Sequence, residues 1–169
     1  FNSVVSNKEI LYSLIKEKEK ITKPHISEDE TNEFEKTIID AYYMQDKIHI
    51  TSLIPDGTEP HDFQPTTKTM QALSKADILI YNSTGMERWV EQATQAAANP
   101  KLVIVEAAKG TDRISLTEAD EIRAHGQYDP HTWLSLSCAQ TEVKNIAEAL
   151  AATDKANADF YRKNAAEYN

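Results

Sequence analysis

The sequence contains few cysteines, few glycines and fewer basic than acidic residues. Its single cysteine, Cys138, cannot form an intrachain disulfide or a zinc knuckle, so any metal site must use His and carboxylate ligands. The four glycines are not clustered as in a phosphate-binding loop, which disfavours nucleotide binding. Lys and Arg number 18 against 27 Asp and Glu, and the net charge at pH 7 is −9. Because such a surface repels phosphate backbones and attracts cations, we expect no nucleic-acid partner.

Long apolar runs and catalytic motifs are also missing. No run approaches the roughly 18 apolar residues of a membrane-spanning helix. The sequence has no Gly-x-Ser-x-Gly nucleophile elbow, so acyl transfer finds no support. No signal-peptide pattern precedes Phe1, and we expect that the signal of an exported protein is not in this chain. The 169 residues, 40% hydrophobic and 27% charged, suffice for one globular domain or slightly more.

Residues 1–47 are predicted to form two helices joined by a turn. Each helix opens with a capping box, Ser6 with Glu9 and Ser27 with Glu30, and Pro24 breaks the chain between them. The only candidate strand in this segment is Asn2 to Val5. We therefore expect an atypical helical N-terminal segment.

From Lys47 onward, short apolar runs alternate with amphipathic helices, which predicts βαβ units and a parallel sheet. The fold class is α/β, a parallel-sheet sandwich of helices and strands preceded by the two helices. We expect an α/β lobe over 48–153 and the start of a further helix over 154–169, with a long mobile surface loop at 109–130. The predicted strands are Ile48 to Ile54, Asp77 to Tyr81 and Leu102 to Val105; the predicted helices are Thr66 to Lys75, Glu87 to Ala98, about Ser137 to Ala152, and a last one from Ala156 with Asp154 as its N-cap.

Two histidines are the candidate metal ligands. His61 and His131 each follow a proline and lie in strand-to-helix loops, and His61 comes after a predicted strand. Ligands of open α/β sheets bind outside the carboxyl ends of the strands. The preceding proline restricts the backbone, and a nearby carboxylate can orient each imidazole. Solvent exposure of a single loop histidine is the competing interpretation, but two matched Pro-His segments favour a metal site.

The other candidates are weaker. We expect His125, in a charged loop beside Gly126, to be solvated, with an accessory metal contact as the alternative. Glu59 could add an oxygen ligand, although a carboxylate in a turn is usually only solvated. His25 and His49 are not expected to bind metal. Cys138 is expected to be a small buried residue at the start of a helix.

Three segments together resemble a known family. They are Ser52 to Pro65 with its Pro-His-Asp-Phe-Gln-Pro motif, Ala72 to Trp89 with its Ala-Asp-Ile-Leu-Ile-Tyr-Asn strand, and Tyr128 to Ser135 with its Asp-Pro-His-Thr-Trp-Leu-Ser motif. In this order they are similar to the zinc- and manganese-binding solute-binding proteins of ABC transporters. The ending from Ala158 resembles the start of the helix that joins the two lobes of that family. The resemblance covers about residues 48–169.

The resemblance implies a function. Members of this family bind one divalent transition metal between two α/β lobes, deliver it to a membrane permease and are not enzymes. It implies that His61 and His131 are the ligands from the N-terminal lobe, that the metal is Zn²⁺ in preference to Mn²⁺, and that the protein is extracytoplasmic, either periplasmic or a cell-surface lipoprotein.

Two departures from the family affect these expectations. Residues 1–47 are predicted as helices, and the second lobe, with the remaining ligands, is not in this sequence. We therefore expect weak and open metal binding unless another chain completes the site. The surface that a second lobe would cover could also support self-association.

Two other functions stay open. A metal-dependent hydrolase could use His61, His131 and Asp129 around a water-bearing ion, because catalytic zinc keeps an open coordination position. Such an enzyme would lack a clear general base here. A protein-interaction module that docks a partner through its N-terminal helices would show no effect of metal at all.

Overall fold

A four-stranded parallel sheet forms the centre of the molecule, as seen in a computed structural model that describes residues 2–5, 48–55 and 57–168. The strands are β1 (Asn2–Val5), β2 (His49–Ser52), β3 (Ile78–Tyr81) and β4 (Val103–Glu106). Their order in the sheet is β2-β1-β3-β4, and each neighbouring pair is parallel. The register places Val4 of β1 opposite Thr51 of β2 and Leu79 of β3.

Five α-helices accompany this sheet in the part of the chain that the structure describes. Short 3₁₀ turns at Thr132–Leu134 and Lys155–Asn157 precede the last two helices. None of these helices is long and apolar enough to cross a membrane. The helices are α1 (Thr67–Lys75), α2 (Val90–Ala97), α3 (Ala119–His125), α4 (Leu136–Thr153) and α5 (Ala158–Tyr168).

The sheet has a hydrophobic core on each face. All four residues of β3 are buried, and their side chains alternate between the two faces as strand geometry requires. Ile78 and Ile80 pack with α4 and with Tyr161 of α5, whereas Leu79 and Tyr81 pack with residues of α1 and α2. The result is a three-layer α/β arrangement, which confirms the predicted fold class.

The strand predictions are confirmed: β2 and β3 are shorter than predicted, and β4 is shifted by one residue, to Val103–Glu106. Asn2–Val5 is a strand, and it lies between β2 and β3. The predicted helices at 66–75, 87–98 and 137–152 correspond to α1, α2 and α4. The two capped helices predicted within residues 6–47 lie outside the described residues.

In the C-terminal half, one prediction is wrong and another is confirmed with different bounds. Residues 109–130 are not loop throughout, because they contain α3. This helix has no buried residue and so no apolar stripe, but it carries acidic residues in its first turn and basic residues in its last, which complements the helix dipole. Asp154 is the N-cap of the 3₁₀ turn Lys155–Asn157, which continues directly into α5, so the predicted cap is confirmed and only the predicted start at Ala156 differs. Its carboxylate accepts hydrogen bonds from Asn157 and from Tyr161, and α5 begins at Ala158.

The topology determines where a ligand can bind. The chain passes from β1 to β2 on one side and then crosses back to β3 on the other side. Such a reversal opens a crevice at the carboxyl ends of the strands. The loop with His61 follows the carboxyl end of β2, and Asn82 directly follows β3.

Candidate metal centre

His61 lies in the loop between β2 and α1, and this loop is anchored at both ends. Before it, Ile54 is buried, and after it, Phe63 is buried with its ring edge-on to Trp89 at 5.1 Å between centroids. The loop ends at Thr66, whose hydroxyl forms a capping box with Thr69 at the start of α1. These anchors leave the His61 side chain only 20% exposed.

His131 is held by its neighbour Asp129. The Oδ1 atom of Asp129 accepts a hydrogen bond from the backbone N–H of His131 at 2.9 Å and lies 2.7 Å from its Nδ1. The backbone hydrogen bond from His131, followed by the side-chain contact, lowers the pKa of Asp129 against the opposing effect of burial. With Nδ1 carrying the proton toward a carboxylate, Nε2 keeps its lone pair, which is the form in which an imidazole binds a metal.

Three imidazole rings meet at this edge of the sheet. The ring centroids of His61 and His131 lie 5.8 Å apart, and His125 lies 4.4 Å from His61 and 5.8 Å from His131, all edge to face. The expectation that His125 is solvated is wrong, because its side chain is only 16% exposed. The last turn of α3 carries it inward over His61.

The electrostatics keep His61 neutral. Burial, and then the nearby His125, lower the pKa of His61 from its usual value of 6.5, while Glu59 opposes this shift. The Nε2 atom of His61 and the Nδ1 atom of His125 are buried without a hydrogen-bond partner among the described residues. Glu59 Oε1 lies 3.9 Å from His61 Nε2, beyond hydrogen-bond distance. A neutral imidazole with an unused buried nitrogen is suited to bind a transition metal.

The site is open and incomplete within the described residues. Among them, no group of three or more His, Cys, Asp or Glu side chains is arranged to hold a metal ion by itself. His131 and the residues just before His61 border an open cleft of about 390 Å³. Because zinc takes four ligands, this arrangement needs donors from elsewhere to close it. The cleft is lined by Gly57, Thr58, Glu59, Pro60, Met86, His131 and Trp133.

The sequence-derived candidates are distributed as follows. His61 and His131 are brought together, and Asp129 lies behind His131. His49 is exposed on β2, and His25 lies outside the described residues. Cys138 is buried in α4, as predicted, with its thiol directed to the carbonyl of Asp112.

Sequence reasoning missed two buried polar residues beside His131. Asn82 and Glu142 are both fully buried. Asn82 follows an apolar strand directly, which is a position where ligand-site residues often lie, and this was the available signal. Glu142 looks like an ordinary exposed helix residue in the sequence.

Comparisons with known proteins show which proteins this chain is similar to. The family described as zinc-uptake complex component A, periplasmic (ZnuA), matches residues 41–169. The high-affinity zinc uptake system protein ZnuA of Bacillus subtilis is 39% identical in an alignment of 144 positions that covers 80% of this chain and 43% of that protein. The manganese ABC transporter substrate-binding lipoprotein PsaA of Streptococcus anginosus is 35% identical over 131 residues, covering 73% of this chain and 40% of the relative.

A solved structure shows the same architecture. The crystal structure of the metal-dependent lipoprotein YcdH from Bacillus subtilis superposes with a TM-score of 0.66 and 31% identity, over 99% of this chain and 50% of that one. The chain thus spans half or less of the length of these similar proteins. Because the family model matches residues 41–169, most of its length, the chain belongs to the zinc-uptake complex component A (ZnuA) family.

Proposed function

We propose that this chain is the N-terminal part of an extracytoplasmic solute-binding protein that captures a divalent transition metal, zinc in preference to manganese, for an ABC transporter. The observation that carries the proposal is the pairing of two imidazoles. His61 has a buried Nε2 without a hydrogen-bond partner among the described residues, and His131 has its Nδ1 held by Asp129, so that each ring has a nitrogen that can bind a metal.

The donor chemistry suits zinc. Imidazole binds zinc well and manganese less strongly, and the general order of affinities also favours zinc. Among the similar proteins, the Bacillus subtilis protein is named for zinc uptake and the Streptococcus anginosus protein for manganese transport. We assign the metal as the cargo of the protein, with His61 and His131 as its ligands from this part of the chain.

The hydrolase alternative is less well supported. A hydrolase would use Asp129 as a ligand or base, but Asp129 Oδ1 is occupied by the backbone and the ring of His131. This carboxylate therefore orients an imidazole. We propose that the chain is not an enzyme.

The partners and location follow from the family. We propose a periplasmic or cell-surface location and a membrane permease as the acceptor of the metal. Leu134 and Leu136, close to His131 in the chain, are 77% and 75% exposed. We propose that these side chains are covered by the other half of a longer protein or by a second copy of this chain.

The experiment is a calorimetric titration of the metal-free chain with Zn²⁺ and with Mn²⁺. The test variant is the double substitution His61→Ala/His131→Ala, and the matched control is His49→Ala, an exposed histidine at the opposite end of β2. Light scattering on the same samples gives the number of chains per complex.

We expect zinc binding in the parent and in the control, and loss of binding in the double variant. A stoichiometry of one metal per two chains would show that a second copy completes the site. Zinc binding that survives the double substitution would refute the ligand assignment. Turnover of ester or phosphate substrates that disappears in His131→Ala would support the hydrolase instead.

A further inference from the structure

The His131 segment is held from two sides by buried polar side chains. One is Asn82, at the carboxyl end of β3, and the other is Glu142, in the second turn of α4. Each is 0% exposed. The two residues lie on different elements of the fold, and each bonds to a residue adjacent to His131.

Asn82 bonds to the residue before His131. Its Nδ2 donates a hydrogen bond of 2.7 Å to the carbonyl oxygen of Pro130. This carbonyl belongs to the peptide group that joins Pro130 to His131. Because a peptide group is planar, fixing its oxygen also fixes the direction in which the backbone enters His131.

The backbone of Asn82 is itself fixed. The buried carboxylate of Glu87 accepts hydrogen bonds from the backbone N–H of Asn82 and from that of Ser83, each at 3.1 Å. The same loop approaches the His131 segment closely at Gly85, where an added Cβ would lie 3.3 Å from the Cβ of Pro130. Asn82 is thus a rigid support in contact with the segment that it holds.

Glu142 bonds to the residue after His131. Its Oε1 accepts a hydrogen bond of 2.6 Å from the hydroxyl of Thr132, which is 9% exposed. Thr132 opens the 3₁₀ turn that leads into α4. His131 therefore has one anchored neighbour on each side, while Asp129 holds its ring.

Core packing alone does not explain these residue types. Asn82 Oδ1 and Glu142 Oε2 are buried without a hydrogen-bond partner among the described residues. Leaving a buried polar atom unpaired destabilises a fold, and an apolar side chain of similar size would avoid this penalty. The bonds that both side chains do make converge on the residues next to His131.

We propose that Asn82 and Glu142 are positioning residues for His131, which set the direction of its imidazole and thereby the affinity of the site for zinc. The effect on zinc affinity rests on the proposed function. The effect on the His131 imidazole in the metal-free chain does not, because the ring is held in place before any metal binds.

The two test variants remove one anchor each. Asn82→Ala removes the bond to Pro130, and Thr132→Val removes the bond to Glu142 with almost no change of shape. Glu142→Gln keeps an acceptor for Thr132 and is the conservative variant. Asn99→Ala is the matched control, because Asn99 Nδ2 also donates to backbone carbonyls, those of Leu73 and Ala76 at 3.0 and 2.8 Å, at the end of α1.

The first measurement is the zinc affinity of each variant by calorimetry, with thermal melting in parallel. We expect Asn82→Ala and Thr132→Val each to weaken zinc binding by about 10-fold or more, the scale seen for residues that orient metal ligands. Glu142→Gln and Asn99→Ala should bind zinc like the parent. Asn99→Ala should nevertheless lower the melting temperature, so that it matches the loss of stability of the test variants.

A second measurement separates positioning from general loosening. In a His131→Ala background, Asn82→Ala should have no further effect on the residual zinc affinity, because the residue through which it acts is gone. In the metal-free chain, Asn82→Ala and Thr132→Val should shift the NMR signals of the His131 imidazole, including its Nδ1–H. Asn99→Ala should leave those signals unchanged.

The outcomes decide between the alternatives. Zinc affinity and His131 signals that stay at parent values in both Asn82→Ala and Thr132→Val would overturn the proposal, as would an equal loss of affinity in Asn99→Ala. If Asn82→Ala does not fold, Thr132→Val decides alone. A parent chain that binds no zinc would refute the proposed function, and the signals of the metal-free chain would still decide whether the two residues position His131.

Discussion

One oxygen of Asp129 serves both the backbone and the ring of His131. It accepts from the His131 backbone N–H at 2.9 Å and lies 2.7 Å from Nδ1. The carboxylate therefore fixes the ring and the tautomer together, and it leaves Nε2 for a metal. Within the motif Asp-Pro-His, the aspartate thus sets the tautomer of the histidine ring, with the proline between the two partners.

Asp129→Asn is expected to weaken zinc binding. An amide oxygen can still accept hydrogen bonds, but it lacks the negative charge of the carboxylate. That charge favours the Nδ1–H tautomer and makes Nε2 a stronger metal ligand. We expect a loss of about 10- to 100-fold in zinc affinity, measured by calorimetry at pH 7.5. Asp120→Asn, at a 95% exposed side chain on α3, is the control and should leave the affinity unchanged. An unchanged affinity in Asp129→Asn would show that the ring is oriented by other contacts.

Part of this site could be predicted from the sequence. The βαβ pattern places the ends of parallel strands at one edge of a sheet, so the loop with His61 could be assigned to that edge. The position of β1 between β2 and β3 could not be predicted, because strand order depends on long-range pairing that a four-residue segment does not encode. α3 was missed because it has no apolar stripe.

The supporting residues were hidden for a different reason. Asn82 and Glu142 are polar residue types that are usually exposed, and only the folded chain shows them to be buried. His125 was assigned to solvent because its neighbours in the sequence are charged. Its partial burial arises because the last turn of α3 places its ring 4.4 Å from that of His61, and the Arg88 guanidinium donates a hydrogen bond to the carbonyl of Arg123 in the same turn.

Zinc affinity is expected to fall at acid pH. The ligands must be neutral imidazoles, so protons compete with the metal. Because burial and His125 lower the pKa of His61, this ring stays neutral to a lower pH than a free histidine. We expect a nearly constant affinity above about pH 7 and a steep decline below about pH 6. Titrations between pH 5 and pH 8 check this, and a flat profile would argue against histidine ligation.

Glu142→Gln is expected to stabilise the chain at neutral and alkaline pH. Burial raises the pKa of Glu142, and the hydrogen bond from Thr132 opposes this only in part. Below the ordinary pKa of 4.5, the Glu142 carboxyl group is protonated in both the folded and the unfolded chain. In that pH range its ionisation therefore does not change the free energy of unfolding. As the pH rises further, the unfolded chain ionises first and the folded parent loses stability.

The gain of the Gln variant over the parent should therefore grow with pH, to the order of 1 kcal/mol. Urea unfolding of both proteins at pH 4, 6 and 8 measures this difference. Glu148→Gln is a useful comparison, because Glu148 is on the same helix and forms an exposed pair with Arg162 at 2.9 Å. It should show no such gain. An equal stability of parent and Glu142→Gln at all three pH values would mean that the buried carboxylate is stabilised by groups beyond Thr132.

His125→Ala is expected to change the pH dependence of the site more than its maximal affinity. His125 lowers the pKa of His61 through its charge and covers part of its ring, so its removal should bring the pKa of His61 back toward 6.5. The decline of zinc affinity should then begin at a higher pH than in the parent, while the affinity at pH 8 changes less than in His61→Ala. An NMR titration of the His61 ring in the metal-free chain checks the pKa, and calorimetry checks the affinity. A loss at pH 8 as large as that of His61→Ala would instead identify His125 as a metal ligand of equal weight, because a lower pKa of His61 does not affect zinc binding at a pH where the His61 ring is already neutral.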